Sequence, residues 1–299
     1  MFLTGFADEA APDMAGQIEA TKALGWHHIE SRNIDGTNIH DLDDVAFEVV
    51  CEQLDEAGVH INCFGSAIAN WAKPITQPYE NTLAEIKRAI PRMQRLGTEM
   101  VRIMSFAVLK EHGPEDQMLA ERIRRLNEIV PMFTDAGILA VHENCMNYGG
   151  MGGEYSLRLI ESVPGMQLVF DTGNPPFTHD YAKGEPYPKQ SAWEFYDRVR
   201  DHVAYVHIKD ASFVAESEGI FPKATFTFPG EGDGDVVRVV EDLVANGYDG
   251  GFSMEPHMQI VFHDESTEDK GDARRANYVE YGRRFEGILA EAKRKAGRL

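Results

Sequence analysis

Cysteine is scarce in this chain, and the little there is forms no motif. Cys51, Cys63 and Cys145 are the only three, and no two stand in a Cys-x-x-Cys spacing. That argues against a thiolate zinc site and a disulfide framework, and predicts a reducing, cytoplasmic setting. Long apolar runs are missing too: no stretch approaches the roughly 20 residues of a membrane helix. The opening Met1-Phe2-Leu3-Thr4-Gly5-Phe6 reads as a first strand, not as a basic-then-apolar leader. Positive charge is in short supply, with 29 Lys and Arg against 49 Asp and Glu and a formal net charge of −20. A surface of that sign repels a phosphate backbone and an anionic bilayer, so nucleic acid and membrane are not expected as partners. A neutral small molecule suits it better than a multiply phosphorylated one. The run Tyr148-Gly149-Gly150-Met151-Gly152-Gly153 lacks the Lys-Ser/Thr of a nucleotide loop and reads as a lid.

What the chain has is a recurring junction. An amphipathic helix ends, glycine follows, and a short β-rich run begins: Leu24-Gly25-Trp26, Ala57-Gly58-Val59, Leu96-Gly97-Thr98, Ala136-Gly137-Ile138 and Asn246-Gly247-Tyr248. Glycine supplies the left-handed cap that turns the chain from helix into strand. Eight short runs read as strands, near residues 3–6, 28–31, 60–64, 100–104, 139–143, 168–171, 204–209 and 252–255. Helices are expected between them, for example over 44–57, 79–96, 116–136 and 235–246, with 273–295 closing the chain. Alternation of this kind predicts a parallel (β/α)8 barrel, with a doubly wound sheet as the competitor. Residues 1–299 read as one domain, since no linker or low-complexity segment interrupts them. The longer loops follow strands three, five, six, seven and eight, at the strand ends where such barrels keep their sites.

Period-two alternation then sorts side chains into those that face the barrel axis and those that face the helices. In Ala204-Tyr205-Val206-His207-Ile208-Lys209, the apolar Val206 and Ile208 suit the helices, so Tyr205, His207 and Lys209 point inward. The same parity turns Val141 with Glu143, Val169 with Asp171, and Ser253 with Glu255 toward the axis. Four neighbouring strands thus each deliver one metal-competent group at one height. Any single one of them would pass for a solvated cap at the barrel mouth; four in register predict a site. Two Glu, one Asp and one His make an oxygen-rich set suited to one divalent ion, Mn²⁺ first, with Mg²⁺ or Co²⁺ as alternatives.

Over nearly its whole length the chain resembles the xylose-isomerase-like barrels of the sugar phosphate isomerase/epimerase superfamily. The matching segments are Gly5-Phe6-Ala7-Asp8-Glu9, Leu24-Gly25-Trp26-His27-His28-Ile29-Glu30, Val141-His142-Glu143-Asn144, Phe170-Asp171-Thr172-Gly173-Asn174, Val206-His207-Ile208-Lys209-Asp210 and Met254-Glu255-Pro256-His257. The resemblance implies that Glu143, Asp171, His207 and Glu255 hold the metal. It also implies that Glu143 and Glu255 flank the substrate and exchange a proton with it. The expected activity is isomerisation or epimerisation of a sugar or keto-sugar, through proton abstraction beside a carbonyl and a metal-stabilised enolate. The chain departs from the best-known ketose epimerases at two places. Asn174 stands where they carry a substrate-binding His, and no Arg follows His207 before Arg238. The alternative is a lyase of the same superfamily that cleaves a 3-keto-glycoside by β-elimination, in some members with a small partner subunit. A homo-oligomer is equally compatible with the sequence.

Other candidates are graded by parity. Lys209 is inward and is expected to contact an oxyanion or hydroxyl, unless it merely pairs with Glu231 or Asp233. Asn174, His257 and Trp71 are candidate substrate contacts, Trp71 as a ring for sugar stacking. His142 has the outward parity, so packing is its ordinary role and substrate contact requires the strand end to bend. Glu30 and Arg102 are inward and are expected to pair across the barrel top. An endonuclease-IV-like repair enzyme would need histidines on the early strands, but these end in Glu30-Ser31-Arg32, Phe64-Gly65-Ser66 and Met104-Ser105-Phe106. A non-catalytic sugar-binding barrel would have no need of the four-ligand set.

Overall fold

The computed structural model of the protein describes residues 1–217, 222–258 and 271–298. Eight strands form one parallel sheet: β1 (Phe2–Gly5), β2 (His28–Ser31), β3 (His60–Gly65), β4 (Met100–Ile103), β5 (Leu139–Glu143), β6 (Gln167–Asp171), β7 (Val203–Ile208) and β8 (Gly251–Met254). Each pairs with its neighbour in chain order, and β1 pairs with β8. The remaining seam, between β1 and β2, is closed by a single parallel bridge, Phe6 to Glu30. The sheet is therefore a barrel. Helices α1 (Met14–Ala23), α2 (Asp44–Ala57), α3 (Tyr79–Leu96), α4 (Leu119–Thr134), α5 (Gly153–Ser162), α6 (Ala192–Val199), α7 (Val236–Ala245) and α8 (Asp272–Lys295) fill the crossovers.

The junction glycines do what their recurrence implies. Gly25, Gly58, Gly97, Gly137 and Gly247 all adopt positive φ, between 65° and 88°. At the other helix ends Asp13, Asp43 and Ser191 accept a hydrogen bond from the first-turn amides of α1, α2 and α6, satisfying donors a helix leaves unpaired. Strand parity also holds. Val206 and Ile208 join the large apolar layer under the helices, whereas Cys63, Val141, Val169 and Tyr205 form a separate small cluster. That inner plug supports the residues one pleat above it, at the C-terminal mouth.

Two short hairpins decorate that mouth. One pairs Asn33–Ile34 with Thr37–Asn38, and the other pairs Asp210–Ala215 with Lys223–Thr227. The second continues directly from β7, and the carboxylate of Asp210 ties its base to the next loop. Asp210 accepts from the amides of Gly230, Gly232 and Gly234 at 2.8–3.0 Å. The glycine run after β5 is not a lid. Tyr148–Met151 is a buried single turn, with Gly149 against the His142 ring, because only glycine lets the backbone approach that closely.

Candidate metal centre

Glu143, Asp171, His207 and Glu255, from the ends of β5, β6, β7 and the chain just past β8, converge. One ligand atom from each lies within 4.8 Å of the others, and all four residues are buried. They are not level in the ladder. His207 stands beside both Asp171 and Ser253, while Glu143 stands beside Val169, two residues before Asp171. Glu255 is two residues past Ser253. The tilt of strands in a closed barrel converts that stagger into a common height.

The atoms at the centre are short of partners. His207 Nδ1 is buried and makes no hydrogen bond. It faces Glu255 Oε2 at 3.6 Å, Glu143 Oε1 at 3.7 Å and Asp171 Oδ2 at 3.8 Å. Ligands sharing one cation at about 2.0–2.6 Å lie roughly 3–4 Å apart, so this spacing suits a central ion. The other ring nitrogen is committed: Nε2 lies 3.1–3.2 Å from the Glu30 carboxylate, which also accepts from Ser253 Oγ at 2.6 Å. A carboxylate behind the imidazole fixes the tautomer and leaves the Nδ1 lone pair for a metal.

The outer oxygens are anchored. Glu143 Oε2 accepts from Arg102 Nη1 at 2.8 Å and its Oε1 from Asn174 Nδ2 at 3.2 Å. Asp171 Oδ1 accepts from the amides of Gly173 and Asn174, both at 2.8 Å, so the turn after β6 is folded around it. Arg32 Nη1 reaches Glu255 Oε1 at 3.1 Å. Lys209 Nζ lies 2.9 Å from Asp171 Oδ2 and 3.2 Å from Glu255 Oε2. Among the described residues, Asp8, Glu9, Glu30, Glu143, Asp171 and Glu255 thus surround the mouth, and Arg32, Arg102 and Lys209 are the cations that pair with these carboxylates. Carboxylates outnumber them, and a divalent ion would restore the balance.

Protons take up that excess where no cation is present. Burial disfavours the charged imidazole of His207, yet the carboxylates of Glu30 and Glu143 overcome it and hold its pKa at about 10. Burial, reinforced by Glu255 and Glu143 and opposed by Lys209, pushes Asp171 up to about 7. Glu143 is buried as well, but Arg102 and His207 draw it down to about 2. Glu255 is likewise held well below the usual carboxylate range, by Lys209 first among its neighbours, against its burial.

The remaining candidates divide cleanly. Asn174, Lys209, His257 and Trp71 line a cavity of about 240 Å³ over the cluster, together with Arg32 and Phe226. His257 Nδ1 lies 2.8 Å from Glu9 Oε1, and its Nε2 lies 3.5 Å from Glu255 Oε1. His142 does not reach the cavity. Its Nε2 lies 3.0 Å from Ser105 Oγ on the helix side of the sheet, and burial lowers its pKa to about 4. Lys209 pairs with neither Glu231 nor Asp233 in the ion pairs seen; Glu231 is taken by Arg284 at 2.7 Å. Nor do Glu30 and Arg102 bond each other: Glu30 backs His207, and Arg102 clamps Glu143. The sequence reading passed over Arg32, although inward parity at Glu30 implies it two residues on. It also passed over Phe6, whose ring packs edge-on to His207 at 5.0 Å and lies 4.4 Å under the Arg32 guanidinium.

Among the described residues no helix is long and apolar enough to cross a membrane. No curated protein matches the chain in sequence. Several solved structures are similar in fold. A xylose isomerase-like TIM barrel protein from Mycobacterium smegmatis, in complex with magnesium, is 17% identical over 92% of this chain and 89% of its own, with a TM-score of 0.66. D-allulose 3-epimerase from Methylomonas sp., in complex with D-allulose, is 17% identical over 95% and 96%, with a TM-score of 0.63. The probable 3-DHS dehydratase involved in petrobactin synthesis in Bacillus anthracis is 13% identical over 93% and 97%, with a TM-score of 0.65. The family described as xylose isomerase-like TIM barrel matches residues 18–277. With most of its length inside that match and its barrel built as described, the chain belongs to the xylose isomerase-like TIM barrel family.

Proposed function

We propose that the protein is a divalent-metal-dependent isomerase or epimerase of a sugar or keto-sugar, working by proton transfer at the carbon beside a carbonyl. One observation carries the reading: two anchored carboxylates, Glu143 on β5 and Glu255 past β8, border one cavity, and their oxygens lie 3.7 Å and 3.6 Å from the unpartnered Nδ1 of His207. Glu143, Asp171, His207 and Glu255 would hold the cation, with Mn²⁺ the first choice for so oxygen-rich a set. A cation held there would supply Lewis-acid chemistry, lowering the cost of negative charge on a substrate oxygen beside the carbon that loses its proton.

The chain's own residues do the rest. Arg102 and Arg32 each fix one oxygen of Glu143 and Glu255, so both carboxylates keep a defined direction toward the cavity. Their neighbours keep them ionised, as a base must be. One takes the proton and the other returns it from the far side. Lys209 adds a fixed positive charge beside the developing oxyanion and steadies Glu255. A second reading, β-elimination from a 3-keto-glycoside, starts with the same abstraction. The bond from the β-carbon to its oxygen substituent then breaks, and the departing oxygen receives a proton. A larger cavity adjoining the first favours keeping that reading (see below).

Wash-in of deuterium tests both. With Mn²⁺ and D-allulose, D-fructose or a phenyl 3-keto-glucoside in D₂O, the protein should label the carbon beside the carbonyl. Glu255→Gln should slow labelling by about 10²–10⁴-fold, the usual contribution of a positioned base, because an amide accepts no proton. Labelling at the original rate by that variant would place the base elsewhere.

A further inference from the structure

The cavity over the cluster is small and gathers charged and amide side chains, among them Arg32, Arg102, Glu143, Asn174, Lys209 and Glu255, and it shares a wall with a second cavity of about 580 Å³. Trp71, Cys145 and Phe177 border both. Beyond that shared wall the described residues of the lining include the apolar Val108, Leu109, Met146 and Met151, with Lys110, His112, His179 and Glu216 as its charged or titratable members. Charge at its edge is spent locally: His179 lies 3.5 Å from Glu216, which also takes Lys189 at 2.6 Å. The aromatic wall is continuous. Phe177 packs edge-on to Phe226 at 6.2 Å, and Phe226 to His257 at 5.2 Å, so rings run from the larger chamber to the metal cluster.

A free monosaccharide would occupy the 240 Å³ cavity and leave the larger chamber to water against apolar walls. We infer that the substrate is a sugar-like head carrying an apolar group of aromatic size, held with the head over the metal cluster and the apolar group against Trp71, Phe177 and Leu109. The inference rests on the function proposed above and narrows its substrate class to keto-glycosides or ring-substituted keto-sugars, since the proton transfer requires a carbonyl. Volumes of about 300–1,000 Å³ with apolar walls and a few convergent polar groups are those of sites that bury drug-sized ligands. Burial of one aromatic ring on such walls supplies the gain in affinity.

Calorimetry on the Mn²⁺-loaded full chain tests it, with D-glucose, D-fructose and phenyl and naphthyl β-D-glucosides as probes. The aryl glucosides should bind at least tenfold more tightly than either free sugar, about 1.4 kcal/mol at 25 °C. Leu109→Trp, which fills the chamber, should erase that advantage while Mn²⁺ affinity and free-sugar binding stay unchanged. Val108→Phe serves the same purpose should Leu109→Trp fold poorly. Equal affinity for free sugars and aryl glucosides, or equal loss of both in the filled variants, overturns the inference and leaves the proton-transfer reading standing. A dimer seen by light scattering and broken by Leu109→Trp also overturns it, because a second copy would then cover the chamber. Failure of every sugar to bind the metal-loaded chain would overturn the proposed function as well.

Discussion

His207 shows at the scale of one residue how this site is made. Its Nδ1 faces three carboxylates, and its Nε2 is held by Glu30 from across the barrel seam. Glu30 is not part of the four-residue cluster and bonds the His207 ring instead, so on the proposed reading it orients a ligand rather than serving as one. Glu30→Gln should therefore lower Mn²⁺ affinity by about 10–100-fold, the range seen when the partner behind a metal-bound histidine is lost. The fold should survive, since glutamine keeps the hydrogen bond to Ser253. Titration of metal into both proteins checks this, and unchanged affinity would make Glu30 a packing residue. The four converging groups were legible because Glu143, Asp171 and His207 lie on short strands whose apolar partners fix the parity, and Glu255 directly follows one. Glu30 and Arg102 were legible as inward but not as partners. Which of several inward charges pair depends on stagger around the barrel, and a single strand does not carry that information.

Elements carry the next level of the account. The turn after β5 holds Asn147 and Gly149 under the site, and Gly150 passes so close to Cys145 that an added Cβ would lie 1.6 Å from its carbonyl oxygen. Gly150→Ala must displace backbone, and should cost roughly 2–4 kcal/mol, as overpacking does at its more severe end. Gly287, inside α8 with open space around its Cβ position, should show the opposite sign. Gly287→Ala should gain about 0.5–1 kcal/mol from helix propensity. Urea denaturation of the two variants measures both, and equal stabilities would refute this view of the turn. Composition alone suggested a lid there, because glycine runs serve mobile loops and close packing alike. Only the neighbours, here the His142 ring and the Cys145 carbonyl, decide between them. The helix-to-strand glycines were readable for the converse reason: their left-handed caps are local geometry, which sequence encodes directly.

The whole molecule couples this site to pH. His207, held at about 10, carries a proton at neutral pH, and Asp171, pushed up to about 7, shares in one; a cation must displace both. Rising pH removes the competitor, so metal affinity should increase with pH. A ligand bound only by the folded state stabilises it by RT ln(1 + [L]/Kd). The rise in Tm produced by a fixed Mn²⁺ concentration should accordingly be small at pH 5 and grow toward pH 8. A rise independent of pH would show that these two groups carry no displaceable proton. The barrel itself was readable from the alternation of helix and strand, while the second hairpin past β7 was not. Lys209-Asp210 looks like an ordinary strand end until Asp210 is seen gathering the glycine amides of a loop twenty residues on.

The claim on which the rest depends is that one cation sits among Glu143, Asp171, His207 and Glu255. Anomalous diffraction at the manganese edge, from crystals grown with Mn²⁺, tests it most directly. The account predicts one peak about 2.0–2.6 Å from an oxygen of each carboxylate and from Nδ1 of His207. A peak between Glu9 and His257 instead, or none within reach of His207 Nδ1, would contradict it.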